Sequence, residues 1–254
     1  MADKTYVVHT NFWRDGSIIA VSSETAQFAP EYTQDDSLQL YWRSTDADSS
    51  GEAIDCDFGE AKEYDFVGIL GHNISASATI KIYGADDDAF SVNVVEDSLT
   101  YYGNSLWQKL SASRTKRYCR ISIVDPLNAS GYIQIATIVV GKVESLNRKP
   151  TIPYERGTQN DTAIDKSPSE TIFTVQTRPS VGVRQIPFEG LSDASASVIE
   201  SLLENCGSHV AWALCLNVSS LNGNTYWVRL QRQSLPVCNS PNNWDWNGMA
   251  EEIV

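Results

Sequence analysis

No helix of ten or more residues can be read in this chain before Ser192, and that limits what it can fold into more than any other feature. Short β-rich runs alternate instead with Gly, Asn, Asp and Ser, the pattern of an all-β sandwich. Strands are expected over 6–10, 17–21, 37–42, 53–58, 66–70, 79–83, 91–95, 106–110, 118–124 and 133–140. Alternation is clear in ATIKIYG, where Ile80 and Ile82 share one face and Lys81 takes the other. YCRISIVD repeats it, with Cys119, Ile121 and Ile123 opposite Arg120 and Ser122. The fold class is therefore mainly β. An N-terminal β-sandwich over 1–141 precedes a smaller β+α domain.

Residues 142–170 carry three prolines and little periodicity. They are expected as an extended arm or linker. The small domain, 171–254, is expected to assemble strands 171–176, 183–188, 210–217, 225–230 and 232–237. Its one helix covers about 192–206, capped by Ser192 and ended by Gly207, with Ala194, Val198, Leu202 and Cys206 on the buried face. The turn LNGN at 221–224 closes a hairpin. Of the acid excess behind the formal charge of -13, most lies within 1–141, which holds 20 acidic against 10 basic residues. That break supports two domains.

The same charge argues against a general nucleic-acid binder, which needs a basic footprint, and against attraction to an anionic membrane. No apolar run is long enough for a membrane-spanning helix, and the N-terminus lacks the pattern of a secretory signal. Five cysteines lack metal-ligand spacing and read as buried reduced thiols. The three histidines pair with no Cys, Glu or second His at ligand spacing. GxSxG, HExxH, P-loop and GxGxxG motifs are missing. The chain is expected not to be an enzyme and to need no cofactor.

Two clusters remain as candidate sites. Asp86, Asp87 and Asp88 follow a strand end and could hold a structural Ca²⁺ through oxygen, or form a solvated acidic tip. Tyr101, Tyr102 and Trp107 surround a Gly-Asn turn; exposed rings there would stack on a sugar, and buried ones would pack. In the arm, Arg148, Lys149, Pro150, Pro153, Tyr154 and Arg156 are expected to contact neighbouring subunits. Trp244 and Trp246, in the polar NNWDWNG, are expected to dock on the domain or on a neighbour.

The stretch from about Gln39 to Gly141 resembles the discoidin, or galactose-binding-like, jelly-roll domains. The resemblance is carried in order by LYWRS with Trp42 and Ser44, IDCDFGE, FVGILGHNISASATIKIYGADDD, KRYCRISI and IQIATIVVG. It implies a sandwich that binds glycans through loops at one end, in some members with Ca²⁺. The second half, with IVVGKVESLNRKPTIPYERG, a Ser-Pro-Ser segment and RQIPFEGL before the capped helix, resembles bacteriophage tail and virion structural proteins. The two resemblances together imply a non-enzymatic protein of the tail tip or baseplate, assembled in a host cytoplasm and carried in the virion. Its partners would be itself, as a ring-like oligomer, other tail proteins, and a host-surface glycan on the sandwich. The alternative is a stand-alone carbohydrate-binding module protein or the accessory module of a glycoside hydrolase.

Overall fold

The computed structural model describes residues 4–47, 50–151, 156–159, 162–166, 172–176, 181–232 and 234–253; side chains within 156–176 and at 181, 183, 184 and 232 are not described. The chain begins with β1 (Thr5–Val8), a short α1 (Phe12–Asp15), β2 (Ser17–Val21), a 3₁₀ turn at Pro30–Gln34 and β3 (Trp42–Arg43). Then come β4 (Glu52–Leu70), β5 (Thr79–Ala85), β6 (Val95–Leu99), β7 (Ser105–Val124), β8 (Gln134–Ile135) and β9 (Thr137–Gly141). The second half holds β10 (Glu144–Leu146), β11 (Arg156–Gln159), β12 (Thr162–Lys166), β13 (Ile172–Gln176), β14 (Val181–Leu191) and α2 (Asp193–Asn205). It closes with β15 (Trp212–Cys215), β16 (Thr225–Arg232), β17 (Val237–Ser240) and β18 (Asn243–Glu252).

The molecule is mainly β, and its first half is a curled antiparallel sandwich. Strands β4 and β7 run the length of it, paired from Glu52↔Ile123 to Leu70↔Ser105. Each was expected as two strands. Register shifts between Asp57 and Lys62 and between Tyr64 and Phe66 bend the pair without breaking it. Its first part joins β2 and β5, and its second part joins β9. Ile54, Cys56, Ile80, Ile82, Cys119, Ile121 and Ile123 point inward, as the alternation requires. Trp13 and Trp42 complete this core. The Trp13 indole donates to Thr33 Oγ1 at 3.0 Å and the Trp42 indole to the Ser23 carbonyl at 3.1 Å, so neither buried N–H is left without an acceptor.

The N-terminal strand, expected in the sandwich, lies in the second sheet, ordered β10-β1-β15-β16-β18-β14-β11 with β17 beside β18. Thr5 faces Leu146 and Val7 faces Glu144, so the sandwich is inserted between two neighbouring strands. The two crossovers are tied together: His9 Nε2 lies 2.8 Å from Glu144 Oε2, and Asn11 bonds Ile138 O and Val140 N, each at 3.1 Å. They pass so closely that a Cβ on Gly141 would sit 2.1 Å from the Thr10 carbonyl.

Both faces of the second sheet are covered where β1, β15 and β16 lie. Val7, Trp212, Leu214 and Val228 face helix α2, with Ile199, Leu202 and Cys206. Val8, Ala213 and Trp227 face the sandwich, against Phe66, Leu70, Trp107 and Val139. Two-sided burial explains the unbroken apolar run AWALC. Helix α2 begins as expected, with Ser192 Oγ accepting from Ser195 N at 3.3 Å. Its buried side is Ser195, Ala196, Ile199 and Leu202, while Ala194 is exposed and Val198 only half-buried. Strict fourfold spacing drifts around a helix of 3.6 residues per turn, so Ile199 takes the centre.

Residues 142–170, expected as an extended arm, contain β10, β11 and β12. Polar side chains do not prevent a backbone from completing a sheet edge, and β10 and β11 are the two outer strands. Strands β12 and β13 pair with each other and, among the described residues, with no other strand. The polar NNWDWNG segment opens β18, an interior strand. Trp246 is buried in the second core and Trp244 half-buried against it.

Candidate functional site

The structure separates the residues expected to bind a ligand. Trp107 is 3% exposed, stacked on Phe66 at 5.8 Å and 6.3 Å from Trp227. It is a packing residue between the two units and offers no face to a sugar. Tyr101 is half-buried against the sandwich core, and Tyr102 alone of the three is exposed, at 47%. The neighbouring turn belongs to the same seam, because Asn222 Oδ1 accepts the Trp107 backbone N–H at 2.7 Å.

The three aspartates likewise do different work. Asp86 accepts from Lys116 Nζ at 2.9 Å and from Asn93 Nδ2 at 2.8 Å; these bonds, Asn93's first, hold its carboxyl below the usual range. Asp87 closes its own loop by accepting from Ser91 and Val92, and Asp88 is exposed. No three His, Cys, Asp or Glu side chains among the described residues are placed to share a metal ion. Three further acids of the sandwich are gripped by arginines: Asp55 pairs with Arg120, Asp57 with Arg117 and Asp97 with Arg114, each through two nitrogens at 2.6–2.9 Å.

Of the residues expected to touch neighbours, Arg148 Nε donates within the chain to the Gly190 carbonyl at 3.2 Å. Lys149 is exposed and Pro150 buried. Trp244 Nε1 donates to Asp193 Oδ1 at 2.7 Å and Trp246 Nε1 to the Ser234 carbonyl at 2.7 Å. Both indoles are therefore held inside their own chain. Pro153 and Tyr154 lie outside the described residues. Arg156 opens β11, with its side chain not described. Four of the five free cysteines are buried as expected; Cys238, on β17, is exposed. Burial pushes the Cys56 and Cys206 thiols up to about 12, so neither is a nucleophile near neutral pH.

An unforeseen cluster stands where β3 meets β8. The Arg43 guanidinium lies 4.3 Å from the ring centre of Phe28, 4.2 Å from that of Tyr132 and 5.4 Å from that of Tyr41. Phe28 and Tyr41 stack at 5.1 Å and 9°. All four side chains are half-buried. Arg43 donates to Gln134 Oε1 at 3.3 Å, and its Nε is buried without an acceptor.

The walls of this cluster are fixed from behind. Asn73 bonds Tyr132 O at 2.9 Å and Gln134 N at 2.7 Å, and Ser44 Oγ accepts Ile133 N at 2.8 Å. Buried Asp125 accepts from Ser75 N and Oγ and from Asn128 Nδ2, tying the loop after β4 to the loop after β7. Gln27, beside Phe28, holds φ at 86°, a strained value for a side chain of its kind. A planar cation between rings, on a framework already braced, suits a small ligand with an apolar face and polar edges. The motif LYWRS held the signal. Trp42 and Ser44 point into the fold, so alternation turns Tyr41 and Arg43 outward.

No family model matches this chain, and no curated protein matches it. Among solved structures it is similar to chitosan-binding module 1 from a chitosanase/glucanase of Paenibacillus sp. IK-5, at 19% identity and a TM-score of 0.44, over 52% of this chain and 98% of that one. The lectin domain of lectinolysin complexed with Lewis B antigen is similar at 13% identity and a TM-score of 0.42, over 52% of this chain and 96% of that one. A GH29 fucosidase from Ruminococcus gnavus is similar at 20% identity and a TM-score of 0.43, over 53% of this chain but only 27% of the enzyme.

Proposed function

We propose that this is a non-catalytic glycan-binding protein whose sandwich takes its ligand at the Phe28–Tyr41–Arg43–Tyr132 cluster. The observation that carries the reading is the arginine held between two rings, at 4.2 and 4.3 Å, on loops braced by Asn73, Ser44 and Asp125. Rings supply the apolar surface for a pyranose face, while Arg43 and Gln134 supply edge-on hydrogen bonds. Sugar binding by the chitosan-binding and lectin modules named above agrees with this reading, which stands on the cluster itself. The test is a glycan array followed by titration calorimetry. A hit that is lost in Tyr132→Ala, with melting unchanged, supports the site. A wild-type chain that binds no glycan sinks it.

A second reading, a ring-forming component of a phage tail tip or baseplate, is favoured by a different part of the molecule. The β12–β13 hairpin has no strand beside it among the described residues. Leu235 and Val237 are 76% and 60% exposed, at the rim of a groove of about 270 Å³ over Phe188 and Trp246. Such features fit contacts with further copies. Light scattering after size exclusion, across a concentration series, separates the readings. A discrete ring-sized oligomer makes the sandwich the projecting module of an assembly, and a monomer throughout leaves it a stand-alone binder.

A further inference from the structure

Arg43 differs from the other arginines of the sandwich. Arg114, Arg117 and Arg120 each grip an aspartate, and Arg14 lies against Asp15 and Asp36. In a chain with 32 acidic residues against 19 basic ones, carboxylates are abundant. Among the described residues none lies within ion-pair distance of Arg43, whose one polar partner is the neutral Gln134.

We infer that Arg43 is the receptor for a single carboxylate on the ligand, so that the glycan is an acidic one, ended by a uronic-acid or sialic-acid type of sugar. This deepens the glycan reading above and rests on it. A guanidinium is a planar fork that matches a carboxylate through two parallel N–H donors. Here it is already oriented by rings, so little rotamer freedom is lost when the ligand arrives. The formal charge of -13 sets the upper limit. A polyanion would bring many charges into a repelling field for the gain of one pair, whereas a single carboxylate feels mainly the cation it touches.

The experiment uses the full chain with 3′-sialyllactose and a glucuronyl disaccharide, each beside its methyl ester, and with a heparin oligosaccharide. Esterification removes the charge and keeps the sugar. At least one acid should bind about tenfold or more tighter than its ester, as loss of a charge-assisted hydrogen bond predicts. That preference should vanish in Arg43→Gln and weaken in Arg43→Lys, which keeps charge without the fork. It should also vanish in Gln134→Glu, which offers the guanidinium a carboxylate of its own, with melting unchanged in each variant. Equal binding of acid and ester, or a preference that survives Arg43→Gln, overturns the inference while the glycan site stands. Heparin as the tightest ligand overturns the single-charge limit. Binding of neither acid overturns the inference, and the glycan reading falls with it only if the full array is also blank.

Discussion

Trp107 of the sandwich and Trp227 of the second sheet meet ring to ring at 6.3 Å, and this contact joins two units that each have a core of their own. Each indole is about 3% exposed. Trp107 also fills the space that a glycine leaves: a Cβ on Gly68 would come within 2.3 Å of its ring. Phe66, Leu70 and Val139 of the sandwich and Val8 and Ala213 of the second sheet pack around the two indoles, so the seam is a small core of its own.

Trp227→Ala should cost about 3–5 kcal/mol, the range for emptying an aromatic site in a core. Because the two main cores stay intact, the loss should appear as uncoupling. Calorimetry is expected to show two transitions where the parent shows one. A single transition at unchanged temperature would mean the seam contributes nothing to coupling.

Gly141→Ala tests the crossover. The new Cβ would meet backbone, the Thr10 carbonyl at 2.1 Å, which cannot swing aside as a flexible side chain could. A loss of about 1–3 kcal/mol is expected from such overpacking, read as the shift in urea midpoint. Gly103→Ala is the control for open space, since nothing lies within 4 Å of a Cβ there; its cost should be only that of a positive φ.

On helix α2, Ile199→Asp and Val198→Asp separate the observed face from the one that fourfold spacing suggests. Ile199 is buried in the second core, whereas Val198 is half-buried at its margin. An unpaired charge should unfold the second unit at position 199 and be tolerated far better at 198. Far-UV circular dichroism of the two variants checks the order, and equal damage would contradict the orientation described.

The existence of most strands was legible in the sequence because two-residue alternation is local: Ile80 and Ile82 announce their face whatever they pair with. So was the helix start, since Ser192 caps its own turn. Partners were not legible. Nothing in Thr5–Val8 says that its neighbours are Leu146 and Cys215, more than a hundred residues away. β18 was hidden for a different reason: it is buried on one face only, and its outward polar residues dominate the string NNWDWNG while Trp246 packs beneath. The polar stretch 60–65 read as a break, although the backbone of β4 continues through it. At the candidate site, LYWRS is legible in the sequence through Trp42 and Ser44, which carry the resemblance to a sandwich family, whereas the outward Tyr41 and Arg43 gain their partners Phe28 and Tyr132 only in the fold.

His72 gives the chain a pH dependence with a definite sign. It is buried beside Tyr101, with both ring nitrogens lacking a partner, and burial lowers its pKa from the ordinary 6.5 to about 4. The neutral ring is the form the fold accepts. Between those two values the unfolded chain binds the proton and the folded one does not, so stability rises with pH across that window. The slope from this one group is at most about 1.4 kcal/mol per pH unit. His72→Leu removes the titration and two unsatisfied polar atoms together. The variant should therefore lose less stability than the parent between pH 6.5 and 4.5 in urea titrations. A parent and variant that fall in parallel would place the pH dependence elsewhere.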